Sequence, residues 1–403
     1  MERIAGGHVT MARGFRAAGA TAGIKASGRP DLALLVSDPP AVAAGVFTTN
    51  QVRAYNVDRS RALLAAGGLL RAVLVNSGNA NVATGAHGRA DTEQLAAVAG
   101  AQLGCGPELV AVAQTGVIGV PLPMERLRAG IPVVASRLSA DGGPAAAEAI
   151  CTTDTHVKQG AVRLTLDGET VTIGAMAKGA GMIHPNMATL LCFVATDAAI
   201  ERAPLHNALV TAVDRTLNNV TIDGDQSTSD TTLLLANGLA GHRPIRDLDD
   251  ARLRTFTEAL TELLAPLAAA IARDGEGATK LLTVRVTGAR TGYDARQAAK
   301  AVASSNLVKC AVAGGDPNWG RIACAVGYSA AEVDQARLTV TLNQVLLMFA
   351  GEPVSFDADA VSASMALGEV VVHVDLGLGD GQAVAYGCDL TGEYVRFNAE
   401  YTT

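Results

Sequence analysis

No run of about 18 or more uncharged apolar residues occurs in the 403-residue chain, which argues against a membrane-spanning helix. An excess of basic charge is missing too, because 32 Lys and Arg stand against 39 Asp and Glu, a formal net charge of −7. Phosphate binding needs a concentrated basic surface, so nucleic acid is a poor match as the main partner. The opening MERIAGGHVTMARGF carries Glu2, Arg3 and Arg13 and lacks the apolar core of a secretory signal. Only six cysteines are present (Cys105, Cys151, Cys192, Cys310, Cys324 and Cys388), with no C-x-x-C pair. They suit reduced, mostly buried thiols of a cytoplasmic protein, not a disulfide frame or a zinc site. Charged residues make up 18% against 49% hydrophobic, which excludes wholesale disorder. Length alone, at about 150 residues per domain, suggests roughly 2–3 domains' worth of chain.

Several chemical signatures are also absent. There is no G-x-G-x-x-G after a strand, no G-x-x-x-x-G-K-[ST], no H-E-x-x-H and no G-x-S-x-G. The seven histidines are dispersed, and none forms a metal-like pair. His184 is the one to watch, because it sits in the most unusual stretch of the chain.

What is present alternates between strand and helix signals. Residues 32–36, 45–49 and 72–76 are β-branched or apolar with Gly or Asp borders and predict strands. Residues 90–103 are Ala-rich and open with Asp91 and Glu93, where the helix dipole favours acids. Val162, Leu164 and Leu166, then Val171 and Ile173, alternate around Asp167-Gly168 and predict a hairpin. Leu253, Phe256, Leu260, Leu263, Leu264, Leu267 and Ile271 recur at helical spacing, with Pro266 expected to kink or end that helix. Residues 370–376 and 383–386 flank a Gly-rich turn and suggest a second hairpin. Strands, hairpins and helices mixed in this way predict an α/β or α+β layered fold.

The stretch KGAGMIHPNMATL, residues 178–190, leads from the first hairpin into the apolar run LLCFVAT. Gly179 and Gly181 permit an irregular backbone, and Pro185 restricts His184 before it. Thr189 follows the small Ala188 at the mouth of a buried strand. Given a bent peptide and donors for the oxyanion, its hydroxyl can attack the carbonyl just before it. Cleavage of that bond would free the Thr189 α-amine, whose ordinary pKa of about 7.7–8.0 suits a base toward its own hydroxyl. A glycine-rich loop feeding a strand, with Thr189 chosen for β propensity, explains the same residues from spacing alone.

That segment resembles the cleavage and nucleophile motif of the ornithine acetyltransferase / glutamate N-acetyltransferase family, the arginine-biosynthesis transacetylases. Further landmarks in family order are AGVFTTN (44–50), NSGNAN (76–81), QTGVIG (114–119), TTDT (152–155), DGDQSTSDT (223–231), DGEGATK (274–280), DPNWGR (316–321) and the terminal NAEYTT (398–403). The resemblance implies a layered α/β sandwich of the N-terminal-nucleophile-like type, made from a self-cleaved precursor. Residues 1–188 would form one fragment and 189–403 the other, interleaved in one body and paired as a heterotetramer of two of each.

For the site, the resemblance implies that Thr189 is the nucleophile and that cleavage falls between Ala188 and Thr189. Thr115 and Gly116 would form the oxyanion hole, a hydroxyl and a backbone N–H aimed at developing charge. Thr155, Lys178, Glu276, Asn398 and Thr403 would contact substrate, Lys178 and Thr155 facing an α-carboxylate and Glu276 the distal ammonium of ornithine. Thr403 stands where the family often has serine. The implied reaction moves acetyl from N2-acetylornithine to L-glutamate through an acetyl-threonine. No metal or bound cofactor is implied, and acetyl-CoA is an open second donor. A hydrolase or aminopeptidase of the same fold, or an uncleaved binding homologue, are the alternatives. Asp223, Asp225 and Asp230 lack the EF-hand pattern and predict a structural loop. Trp319 is expected to pack and anchor the DPNWGR turn.

Overall fold

Asp167 and Gly168 both take positive φ, 52° and 84°, the conformation that lets a two-residue turn follow the twist of its strands. They join Lys158–Leu166 to Glu169–Lys178 in an uninterrupted antiparallel register from Leu166↔Glu169 to Lys158↔Ala177. The hairpin expected from sequence is thus present and longer than the apolar alternation alone indicates. The computed structural model describes residues 1–184 and 190–400.

This hairpin lies within a nine-stranded sheet. In chain order its strands are β1 (Glu2–Arg3), β2 (Phe15–Ala20), β3 (Leu32–Phe47), β4 (Leu69–Asn79), β5 (Val110–Val117), β6 (Lys158–Leu166), β7 (Glu169–Lys178), β8 (Leu191–Thr196) and β9 (Thr231–Ala236). The spatial order is β1-β6-β7-β8-β9-β3-β4-β5, with β2 alongside β3. The strands expected at 32–36 and 45–49 are two halves of β3. The first half pairs with β2 and β4; beyond the Asp38-Pro39-Pro40 break the second half pairs with β9. Proline cannot donate to a ladder, so the β3–β4 register breaks between Val36 and Ala41, and β4 pairing resumes only at Ala41 and Val42.

Strand β8 is apolar up to its final Thr196 because both its faces are covered. Leu191, Phe193 and Ala195 join the core that also holds Phe15, Val73 and Leu233. Cys192 and Val194 join the opposite core with Leu209, Phe256, Leu260 and Leu264. The first face carries α1 (Tyr55–Ala66) and α4 (Gly143–Ile150), while α2 (Gly85–Leu103) and α3 (Met124–Ser136) cover the alternate, opposite-facing side chains of β2 to β5. The second carries α5 (Arg202–Arg215) and α6 (Ala251–Arg273).

Helix α6 does not end at Pro266, one of the two outcomes expected there, but continues to Arg273. Proline removes the N–H that would bond to the Glu262 carbonyl, four residues back. Here Arg3 donates to that carbonyl at 3.2 Å, and Pro266 lies on the exposed side. By length and composition α6 would suffice to cross a membrane, yet its apolar stripe is buried against β6 and β7.

A second sheet holds β10 (Leu281–Ala289), β11 (Thr339–Leu342), β12 (Val345–Phe349), β13 (Glu352–Pro353), β14 (Glu369–Asp375) and β15 (Gly381–Cys388), in the order β13-β12-β11-β14-β10-β15. The expected hairpin at 370–386 is therefore corrected: β14 and β15 follow each other in sequence but β10 lies between them, parallel to one and antiparallel to the other. Helices α7 (Gly292–Ser304), α8 (Asn306–Gly314), α9 (Trp319–Gly327) and α10 (Ala358–Ser364) cover this sheet's own core, against which Trp319 packs. The final helix, α11 (Gly392–Glu400), returns toward the first sheet. Of the cysteines, Cys151, Cys192 and Cys388 are buried while Cys310 and Cys324 are exposed, so "mostly buried" holds for half of them.

Candidate active site

The C-terminal ends of β4 and β5 lose their regular register, Asn79 facing both Thr115 and Val117. Gly116 has φ +131°, and a Cβ there would lie 2.3 Å from the Gly78 carbonyl carbon, so only glycine fits. The irregularity turns Thr115 and Gly116 into the wall of a cavity of about 380 Å³. Lys178, the last residue of β7, lines the same cavity and donates to Thr115 Oγ1 at 3.1 Å. An ammonium can only donate, so the Thr115 hydroxyl accepts here and keeps its own proton for a third group. That is the arrangement an oxyanion donor needs.

Beneath Lys178 lies a buried ion cluster. Lys158 Nζ donates to Asp154 Oδ1 at 2.6 Å and to Asp274 Oδ2 at 2.5 Å. Asp154 also accepts from the Gly179 N–H at 2.7 Å and the Thr152 N–H at 3.0 Å. Burial pushes Asp154 up, but Lys178, Lys158 and these hydrogen bonds outweigh it and hold the carboxyl at about 2. Burial likewise opposes the Lys158 charge, and the two carboxylates overcome it, so its pKa is raised. The cluster ties the end of β7, the TTDT loop and the end of α6 into one rigid wall.

The turn after α6 continues the lining, the Glu276 N–H donating to the Ala180 carbonyl at 2.9 Å. Glu276 faces the cavity and accepts from Asn398 Nδ2 of α11 at 3.1 Å. A Cβ on Gly181 would lie 2.3 Å from Glu276 Oε2, so the glycine in GAGM leaves room for that carboxylate. Tyr394 of α11 also lines the cavity, its phenol raised by burial and then by Asp223, Asp225 and Glu276.

The loop entering residue 185 is gripped from behind. Asp223 accepts from the Met182 N–H at 2.6 Å and the Ile183 N–H at 3.0 Å, and the Ile222 N–H donates to the Ile183 carbonyl at 2.7 Å. Met182 is held at φ 54°, a left-handed conformation that costs a non-glycine residue about 1 kcal/mol or more. His184 bonds Thr221 Oγ1 through Nδ1 at 2.9 Å, and burial, then Lys300, lowers it to about 4. At neutral pH the ring is therefore uncharged and engaged with Thr221.

Of the residues singled out from sequence, Thr115, Gly116, Lys178, Glu276 and Asn398 converge on this one cavity. Thr155 does not. Its hydroxyl is bonded to Asp274, its N–H donates to the same carboxylate at 3.0 Å, and Thr152 and Thr153 line the cavity in its place. This corrects its expected position: in a four-residue loop pinned by Asp154, the first two threonines turn inward. Ala188, Thr189 and Thr403 lie outside the described residues. Ile183 and Leu190, which flank the span 184–189, both line the cavity. Asp223 acts as the structural acceptor expected of its loop and also lines the cavity, as does Asp230, whose Oδ2 has no hydrogen-bond partner among the described residues. Asp230, expected only as part of a structural loop, faces the cavity, and neither the place of Tyr394 nor the role of Gly181 is marked by a local sequence pattern. Among the described residues no cluster of His, Cys, Asp and Glu could hold a metal.

Residues 16–403 match the model of the ArgJ family. The arginine biosynthesis bifunctional protein ArgJ of Symbiobacterium thermophilum is 55% identical over 405 residues, spanning all of both chains. The protein of the same name from Thermus thermophilus is 49% identical over 395 residues, covering 98% of this chain and all of its own. A solved ornithine acetyltransferase from Mycobacterium tuberculosis, complexed with ornithine, is 45% identical over 46% of this chain and 98% of its own, with a TM-score of 0.44.

Proposed function

Because the chain belongs to the ArgJ family, an arginine-biosynthesis enzyme and acyltransferase, we propose that it moves acetyl from N2-acetylornithine to L-glutamate through an acetyl-threonine. The observation that carries this is the single cavity where an oxyanion pair, a cation and an anion meet at the two ends of the segment bearing Thr189. Self-cleavage between Ala188 and Thr189 comes first and frees the amine that serves as base. The strained Met182 and the Asp223 grip support this, since a fixed, bent approach favours attack on the preceding carbonyl. Strands β7 and β8 are paired neighbours, so a cut between them leaves both fragments in one sheet.

In the first half-reaction the Thr189 hydroxyl attacks the acetyl carbonyl while the Thr115 hydroxyl and the Gly116 N–H take up the oxyanion. Lys178 receives the substrate α-carboxylate, Glu276 with Asn398 the distal ammonium, and Thr403 completes that end. Ornithine leaves, and glutamate then takes the acetyl group. An apolar patch of Ile118, Leu190 and Leu191 suits the acetyl methyl and limits competing water. The enzyme works in the cytoplasm as a heterotetramer of two fragments of each kind.

The test supplies N-acetylornithine with and without glutamate. N-acetylglutamate should form in step with ornithine, and little free acetate should appear. Acetate release independent of glutamate would instead mark a hydrolase. Acetyl-CoA replacing N-acetylornithine in the same assay decides whether a second donor is used.

Two substitutions probe the distal end. Glu276→Gln is expected to raise KM for N-acetylornithine about 30-fold or more, the scale for losing one partner of a desolvated charge pair. Glutamate, which has no distal ammonium, should be affected less. Gly181→Ala should act through the same carboxylate, with a KM rise of about 10-fold from displaced geometry. An unchanged KM in either variant would remove that role from Glu276.

A further inference from the structure

Asp230 ends the DGDQSTSD loop at the entrance to β9, and the chemistry above gives it no task. It is 2% exposed and lines the cavity, yet its Oδ2 has no hydrogen-bond partner among the described residues. A buried carboxyl oxygen without a donor is costly, so it calls for an explanation. Its backbone is fixed from both sides. Thr48, just past β3, donates to the Asp230 carbonyl at 3.1 Å, and the next residue, Thr231, donates to the Leu190 carbonyl at 2.9 Å. Asp230 therefore stands beside Leu190 at the mouth of β8.

Exchanging one amine for another raises a proton problem that the oxyanion pair does not solve. An amide nitrogen leaves only as a protonated amine, and an incoming ammonium attacks only after losing a proton. We infer that Asp230 is the proton carrier for the exchanged amines, an inference that rests on the acetyl-transfer reading above. As a neutral carboxyl, Asp230 gives its proton to the amide nitrogen as the C–N bond to ornithine breaks, becoming a carboxylate. Thr189 Oγ forms the ester, its proton passing to the Thr189 α-amine. The carboxylate then takes one proton from the glutamate ammonium, restoring the acid. The α-ammonium of Thr189 returns its proton to Oγ as the ester breaks. The one further proton gained by ornithine and lost by glutamate is exchanged with solvent.

The surroundings suit a carboxyl that starts neutral. Burial raises the Asp230 pKa well above the ordinary carboxylate value, against the opposing effects of the Ser227 hydroxyl in its own loop and Lys178 on β7. Asp223, Asp225, Glu276 and Tyr394 line the same cavity and add no further cation.

The test is Asp230→Asn, which keeps the shape and cannot exchange a proton. Acetylation of the fragment beginning at Thr189 is followed by intact mass with two donors, N-acetylornithine and p-nitrophenyl acetate, whose phenolate leaves without protonation. The variant should still self-cleave. Its acetylation by N-acetylornithine should slow by about 10²–10⁴-fold, the usual worth of a positioned acid, while the phenyl ester reacts at near the wild-type rate. Equal slowing with both donors, or none with either, overturns the role. Wild-type enzyme acetylated by neither donor overturns the transfer reading and this role with it. Should Asp230→Asn fail to fold, Ser227→Ala carries the test. Loss of that hydroxyl raises the Asp230 pKa, so the alkaline limb of the N-acetylornithine rate profile should move to higher pH. A limb that stays in place overturns the proposal.

Discussion

Replacing Thr189 by Ala is expected to leave one uncleaved chain on denaturing electrophoresis and to reduce acetyl transfer by at least about 10³-fold, since removal of a nucleophile removes the chemistry it begins. The expectation rests on where residue 189 falls in the chain. Lys178 and Leu191 face each other as the paired ends of β7 and β8, and Ile183 and Leu190, on either side of residues 184–189, line the cavity. Around the same cavity stand the hydroxyl of Thr115, polarised by Lys178, and the backbone of Gly116. A Thr189→Ser variant should cleave and keep part of the activity, because the hydroxyl and the later α-amine both survive. Full activity in Thr189→Ala would remove the covalent step altogether.

The second large effect is on stability. Lys158→Met should lower the unfolding free energy by about 3–5 kcal/mol, the scale for breaking a buried ion pair by removing one partner. Its side chain is 1% exposed, and its loss leaves Asp154 and Asp274 close together with only Lys178 to offset the Asp154 charge. The midpoint of urea unfolding reads the change, and an unshifted midpoint would show the cluster to be dispensable. The cluster also sets a pH dependence. Asp154 is depressed to about 2, so its contribution is fully present above the ordinary carboxylate pKa and fades as pH falls from about 4 through about 2. Lys158 is raised, so its contribution is present below the ordinary lysine value and fades as pH rises through its folded pKa. Wild-type stability should therefore hold across neutral pH, with the acid loss blunted in Lys158→Met, where Asp154 has lost one of its two cations.

Local chemistry was legible in the sequence wherever the cause is local. Asp167-Gly168 specifies its turn through the two positive φ values it can adopt, and LCFVAT specifies a strand covered on both faces. Features decided by distant partners were not legible. Pro266 continues a helix because Arg3, at the other end of the chain, satisfies the carbonyl it orphans. The last two strands fail to form a hairpin because β10 inserts between them. The site divides in the same way. Resemblance to a known family pointed to Thr115, Gly116, Lys178, Glu276 and Asn398, which share one cavity. The inward turn of Thr152 and Thr153, the fit of Gly181 against Glu276 and the unbonded oxygen of Asp230 depend on packing between segments far apart in sequence. DPNWGR, for all its distinctiveness, serves the second sheet, where Asn318 caps α9 by accepting from the Arg321 N–H at 3.2 Å.

The central claim is that a threonine freed by self-cleavage carries the acetyl group, and intact-mass measurement addresses it directly. Purified wild-type protein given N-acetylornithine alone should yield two species, residues 1–188 and residues 189–403, the second heavier by one acetyl group. Adding glutamate should return the second species to its original mass as N-acetylglutamate appears. A single uncleaved chain that transfers acetyl at full rate, or an acetyl group carried by the 1–188 fragment, would contradict the account.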